Sequence, residues 1–222
     1  MYISHKYKIC FVRIPKTACS SITEYLIRNI DDREAIHSGV DDVAIKSTLG
    51  KNPIRRPIMS NKYVHYTLQD IVKDGFIKEN QLKQYSIFGV IRDPVDRQMS
   101  MYYFRKRWDR KIKPSLQDYK NITINNCAMK INPDATGKIQ TDFLTYKGQQ
   151  YGKFLLFDNI EEELEKFMKA RNLQTGFKLP KHKSGNRKPK QAEIKFDDEV
   201  LNSIKMHYTK DYIMYNQLKE QQ

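Results

Sequence analysis

The sequence predicts an α/β fold in which a mostly parallel central sheet carries helices on both faces. Three observations support this. Short apolar runs rich in strand formers occur at residues 9–14, 85–91 and 153–159. Each leads, directly or through a short polar turn, into a segment whose apolar residues recur at helical spacing. Strands alternating with helices in this way build a parallel sheet clothed by the helices that connect its strands. With 222 residues the chain is long enough for one such domain with a sizeable core and too short for two ordinary ones, so a single domain over 1–222 is expected.

The first unit runs from a strand at 9–14 to a helix at 22–30, whose apolar stripe is Ile22, Tyr25, Leu26 and Ile30. Between them lies Arg13-Ile14-Pro15-Lys16-Thr17-Ala18-Cys19-Ser20-Ser21, which puts a lysine and three hydroxyls at a strand-to-helix junction. Ser20 or Ser21 is the expected N-cap. A helix N-terminus presents N–H groups and about half a positive charge, so it favours a phosphate-like anion, and Lys16 adds a full charge. Aligning Lys16-Thr17 on the glycine-rich nucleotide loop would demand glycines at positions 10 and 15. Those positions hold Cys10 and Pro15, and proline has a fixed φ and no N–H, so a glycine nest around a triphosphate is not expected.

The second unit runs from a strand at 85–91 into Arg92-Asp93-Pro94-Val95-Asp96-Arg97-Gln98-Met99-Ser100-Met101-Tyr102-Tyr103-Phe104. Asp93 is the expected N-cap and Pro94 the first helical residue. Val95, Met99, Tyr102 and Phe104 are read as the core-facing side. Arg92 ends the strand, at the carboxyl edge where open α/β sheets bind ligands, and Ser100 follows two helical turns on.

Other segments are less specific. His65, one of five histidines (His5, His37, His65, His182, His207), is expected where a strand ends before a helix, within 62–70. As the side chain that titrates nearest neutrality it is a candidate base, with a structural role left open by the residues alone. Residues 140–144 (Gln-Thr-Asp-Phe-Leu) are expected within a helix, without a role. Residues 160–171 read as an amphipathic helix after the strand at 153–159, and 197–218 as a closing helical stretch.

Forty Lys and Arg against 26 Asp and Glu give a net charge of +14, which favours anionic ligands. Basic runs at 105–113 and 178–190 concentrate that charge, and the second contains Pro, Gly, Ser and Asn as a loop would. A polyanion or nucleic-acid reader could use such patches, but no nucleic-acid motif accompanies them. Three cysteines without disulfide-like spacing fit a reducing compartment. With no signal-peptide core and no stretch of about 20 apolar residues, a cytoplasmic location without a membrane span is expected. No Cys/His cluster suggests a metal.

The two strand-to-helix motifs together resemble those of sulfotransferases that use 3′-phosphoadenosine 5′-phosphosulfate (PAPS), most closely the carbohydrate branch typified by heparan sulfate 2-O-sulfotransferase. The resemblance is dense over 8–30 and 62–104. It implies a P-loop-like three-layer fold and sulfuryl transfer from PAPS, without a metal, to a hydroxyl acceptor on a carbohydrate, with anionic carbohydrates among the implied acceptors. It implies that Pro15, Lys16, Thr17, Ala18, Cys19, Ser20 and Ser21 hold the 5′-phosphosulfate, with Lys16 on the leaving phosphate. Arg92 and Ser100 would hold the 3′-phosphate, and Arg187, on the second basic run, would close over the nucleotide. Arg13 matches an arginine near the acceptor. The family reads His-Gly-His where this chain has Tyr63-Val64-His65, so His65 matches the second histidine and is the implied base. Against this reading stand a nucleotide-dependent phosphotransferase, which the missing glycines and magnesium carboxylate disfavour, and a non-enzymatic polyanion or nucleic-acid binding module.

Overall fold

A computed structural model describes residues 1–38, 58–59, 63–108, 138–173, 175–176, 178–180 and 198–222. The chain forms two compact units: one of residues 1–91 and 142–182, the other of 92–141 and 183–222.

The first unit is built on a mixed six-stranded sheet. Its strands are β1 (Tyr2–Ser4), β2 (Ile9–Phe11), β3 (Ile36–Ser38), β4 (Ile58–Met59), β5 (Ser86–Ile91) and, after a small β6–β7 hairpin (Thr145–Tyr146, Gln149–Gln150), β8 (Lys153–Leu156). The order across the sheet is β4-β3-β1-β2-β5-β8. β2, β5 and β8 are mutually parallel, as are β3 and β4, while β1 runs antiparallel to both its neighbours. The expected parallel character therefore holds with one exception, the strand that opens the chain. A turn too short for a crossover joins β1 to β2, and only antiparallel strands can be joined that way.

Alternation along the strands sends Tyr2, Ile9, Phe11, Phe88, Val90 and Leu155 to one face. There they meet Ile22, Tyr25 and Leu26 of helix α1 (Cys19–Asn29), and Leu164, Phe167 and Met168 of the helix after β8 (Ile160–Lys169). Phe88 is the hinge of this core, stacked on Phe11 at 5.0 Å and tilted against Phe167 at 4.4 Å between ring centroids. On the opposite side of β5, Gly89 leaves room for the chain that leaves β2: a Cβ there would lie 3.1 Å from Ile14 Cδ1. The absent side chain lets Ile14, and with it the start of the 15–19 loop, settle against the sheet.

Helix α2 (Leu68–Lys73) begins with a full capping box: Thr67 accepts from the Asp70 N–H, and Asp70 accepts from the Thr67 N–H. The remaining helices are numbered in chain order: α3 (Pro94–Trp108), α4 (Ile160–Lys169), α5 (Asp198–His207) and α6 (Thr209–Glu220).

The second unit contains α3, α5, α6 and residues 138–141. Asp93 caps α3 as expected, its Oδ1 accepting from the Asp96 N–H at 2.8 Å. The buried side of α3 differs from the expected stripe. Arg97, Gln98 and Met101 are buried, whereas Phe104 is 39 % exposed and Val95 and Met99 are only partly covered. The two polar side chains are tolerated inside because each has partners. Gln98 Nε2 donates to Tyr208 Oη at 2.7 Å, and Arg97 donates to the Lys138 carbonyl and lies over the Tyr208 ring.

Other boundaries shift as well. The closing helix of 197–218 is two helices broken at Tyr208, a fully buried residue whose backbone leaves the helical region. Residues 63–65 form a turn where a strand was expected. The strand of 153–159 ends at Leu156, and 141–144 is a single 3₁₀ turn rather than part of an α-helix.

Candidate active site

The loop after β2 leaves the sheet at Ile14 and enters α1 at Cys19. The helix thus starts earlier than Ser20 or Ser21 would have set it, with Ala18 as the capping residue in the left-handed region at φ 59°. Lys16 is also left-handed, at φ 69°. Thr17 between them has no positive φ, and Pro15 is held near −65° by its ring, so the sign of φ alternates through 15–18. Alternation of this kind is the backbone pattern of the anion nests found in phosphate loops. Pro15 excludes the glycine form of this loop, but the chain reaches comparable geometry with a lysine and an alanine in conformations that cost non-glycine residues about 1–2 kcal/mol each. Backbone strain of this kind persists where the surroundings impose it.

Here the surroundings are hydrogen bonds back to the strand. Thr17 Oγ1 donates to the Ile14 carbonyl at 2.7 Å, and Cys19 Sγ donates to the same carbonyl. Both side chains are buried, so they brace the loop from inside. Lys16 and Ser20 are partly exposed at the loop, and Ser21 is buried. Thr23, one turn into α1, is buried with its hydroxyl on the Cys19 carbonyl.

Behind the loop sits Arg13, only 3 % exposed. Its Nη1 donates to Thr23 Oγ1 at 2.8 Å and to the Ser38 carbonyl at 2.6 Å, and its Nη2 reaches Ser20 Oγ at 3.4 Å. Arg13 thus ties β3 to the first turn of α1. Loss of hydration lowers the pKa of its guanidinium, the expected direction for a cation taken out of water.

His65 occupies the turn before α2, and its Nδ1 lies 2.8 Å from the Arg13 main-chain carbonyl. A carbonyl can only accept, so Nδ1 carries the proton and the neutral ring keeps its lone pair on Nε2. The rings of Tyr63, Tyr66 and Phe76 form an edge-to-face cluster beside this turn. Tyr66 Oη donates to Asp74 Oδ2, which pushes the phenol up to about 12 and keeps it neutral.

In the second unit Arg92 is 9 % exposed. Its Nε donates to Asp96 Oδ2 at 2.6 Å and its Nη2 pairs with the same oxygen, a side-on ion pair one turn along the chain. Its main chain is gripped by Gln140, whose Oε1 accepts from the Arg92 N–H at 3.1 Å while Nε2 donates to the Arg92 carbonyl at 2.9 Å. Ser100, two turns into α3, is partly exposed.

A family model described as "Sulfotransferase family" matches residues 1–216. The chain belongs to the sulfotransferase family. Among solved structures, mouse sulfotransferase SULT7A1 complexed with PAP has a TM-score of 0.53 at 14 % identity, covering 98 % of this chain and 89 % of that one. A sulfotransferase from Alicyclobacillus acidocaldarius matches at TM-score 0.49 and 15 % identity, covering 95 % and 94 %. Comparison with curated protein sequences gives no match. The α/β architecture expected from the sequence is that of the sulfotransferase fold.

Within this sulfotransferase, residues 13–21 and His65 come together in the first unit, and Arg92 and Ser100 belong to the second. Arg187 and most of the 178–190 run lie outside the described residues, as do the Cys127 thiol and His182. Among the described residues, no helix is long and apolar enough to cross a membrane. Cys10 is buried in β2, and burial pushes its thiol up to about 12, which makes it an inert core residue. Two further residues belong to the Arg92 region: Gln140, from the 140–144 segment that had no expected role, and Asp211. The Gln-Thr-Asp-Phe-Leu segment was a signal for the first. Nothing local marked the second, which lies 71 residues further on.

Proposed function

We propose that this sulfotransferase moves the sulfuryl group of PAPS to a hydroxyl of an acceptor, with an anionic carbohydrate as the preferred acceptor class. The observation that carries the reading is the 15–19 loop, where Lys16 stands in a φ-alternating turn at the start of a helix. The reading assigns the 5′-phosphosulfate to this loop and the 3′-phosphate to Arg92 and Ser100. The PAP named with the mouse structure supports the same nucleotide here.

In the proposed reaction the acceptor oxygen attacks sulfur in line with the bridging oxygen of the phosphosulfate. The new S–O bond forms as the bridging S–O bond breaks, and the electron pair goes to the 5′-phosphate, yielding 3′-phosphoadenosine 5′-phosphate (PAP). Lys16 and the N–H groups of the loop neutralise the charge that develops there, an interaction stronger in the transition state than in the ground state. The acceptor proton goes to His65 Nε2, whose lone pair is set by the Nδ1 bond to Arg13. The scheme needs no metal. Arg13 acts from behind, holding Ser20, Thr23 and the His65 ring in register. The net charge of +14 supports a polyanionic acceptor.

The test offers radiolabelled PAPS with desulfated heparan sulfate, a neutral oligosaccharide and a simple phenol. Label on the polyanionic carbohydrate is expected. Label confined to the phenol would overturn the acceptor class while leaving the donor intact, and recovery of all label in PAPS would overturn the reaction.

A further inference from the structure

We propose that Gln140 and Asp211 form a positioning relay that sets the main chain of Arg92 for 3′-phosphate recognition. The inference rests on the PAPS reading and adds two residues which that reading does not use.

Arg92 is the first residue past β5, where the sheet's ladder ends and the peptide groups of the turn need other partners. The side chain of Gln140 supplies both, accepting from the Arg92 N–H and donating to its carbonyl. This reciprocal pairing fixes which end of the carboxamide is oxygen, because the reverse assignment would set donor against donor and acceptor against acceptor. Gln140 is fully buried, so its amide has no solvent to fall back on and its position transmits directly to Arg92.

Gln140 is itself held from far along the chain. Asp211 of α6 accepts from the Gln140 N–H with Oδ2 at 2.8 Å and from the Thr141 N–H with Oδ1 at 2.9 Å. Asp211 is also fully buried, an unusual place for a carboxylate unless it is bound on both oxygens. Around it the second unit is cross-tied by Gln98 to Tyr208 and by Arg97 to the Lys138 carbonyl. A buried polar chain of this kind costs desolvation, and an apolar core would supply packing at less cost. What the chain adds is a single geometry for the 138–141 segment and, through it, for the Arg92 turn. A guanidinium that must meet a phosphate at two points gains from a backbone fixed to a few tenths of an ångström.

The experiment compares dissociation constants for PAP and for adenosine 5′-monophosphate, which differ only by the 3′-phosphate. Their ratio isolates the contribution of the 3′ site. In Gln140→Met, a neutral substitution of similar size, the ratio should fall about tenfold, the effect of misplacing one charge-assisted contact, with the monophosphate constant unchanged. In an Arg92→Ala background Gln140→Met should have no further effect on the ratio. Asp211→Asn is the second variant, useful if the first does not fold. It removes a negative charge, which by Coulomb's law alone would strengthen phosphate binding, so a fall in its ratio identifies the relay. Folded variants that keep the wild-type ratio would overturn the relay and leave Gln140 and Asp211 as structural residues. A wild-type protein that does not prefer PAP to the monophosphate would instead overturn the PAPS reading, and the relay with it.

Discussion

The main-chain carbonyl of Arg13 accepts a 2.8 Å hydrogen bond from His65 Nδ1, 52 residues away, while the Arg13 side chain reaches Ser20 and Thr23 at the start of α1. One residue thereby links the proposed base to the proposed phosphate loop, and its buried guanidinium explains why a cation is kept inside the fold at the cost of its hydration.

His65→Ala should leave PAP affinity within about twofold of wild type and lower the transfer rate about 10²–10⁴-fold, the usual contribution of a general base. Single-turnover transfer beside calorimetric PAP titration checks both parts. Retained transfer would assign the base to another residue.

Lys16→Ala should lower kcat about 10²–10³-fold, as loss of one charge-stabilising group at a leaving oxygen does, while the thermal midpoint changes little. The same substitution leaves a left-handed alanine in the loop, so circular dichroism melts should accompany the kinetics. A variant with near wild-type turnover would remove Lys16 from the leaving-group role.

Much of this site was legible from residue type and order. A strand-forming run, a lysine between proline and hydroxyls, and a helical stripe located the loop, and Asp93-Pro94 located the start of α3. The conformation inside the loop was not legible, because non-glycine residues at positive φ are uncommon and only tertiary bonds, here Thr17 and Cys19 to the Ile14 carbonyl, select them. The helix consequently starts at Cys19 rather than at a serine cap. Apolar periodicity failed on α3 for a related reason. Arg97 and Gln98 are buried through partners on residues 138 and 208, and pairings over such sequence separations leave no local trace. The break at Tyr208 and the antiparallel direction of β1 were hidden in the same way.

Ala18 offers a direct check on the loop backbone. Because Ala18 sits at φ 59°, Ala18→Gly should stabilise the fold by about 1 kcal/mol, although glycine beside a helix is usually unfavourable. Urea unfolding measures the change. A loss of about 1 kcal/mol would mean that Ala18 does not adopt the left-handed conformation.

The Asp211 carboxyl is raised above the ordinary aspartate range by burial, against the opposing pull of the Gln140 and Thr141 N–H groups and Arg97. A carboxyl raised in the folded state binds its proton more tightly there than in the unfolded chain. Its contribution to stability is therefore full below the unfolded pKa and is lost as pH rises through the folded one. Thermal melts from about pH 4 to pH 7 should show wild type losing ground relative to Asp211→Asn as pH rises. A wild-type advantage that grows with pH would contradict the raised carboxyl.

The central claim, that the 15–19 loop and Arg92 serve a 3′-phosphorylated adenosine nucleotide, is tested most directly by thermal stabilisation with PAP beside ATP and magnesium. A ligand that binds only the folded state raises its apparent stability by about 2.7 kcal/mol at a hundredfold excess over Kd. The account predicts a clear shift with PAP, lost in Arg92→Ala. A shift with ATP and magnesium alone, or no shift with either, would contradict it.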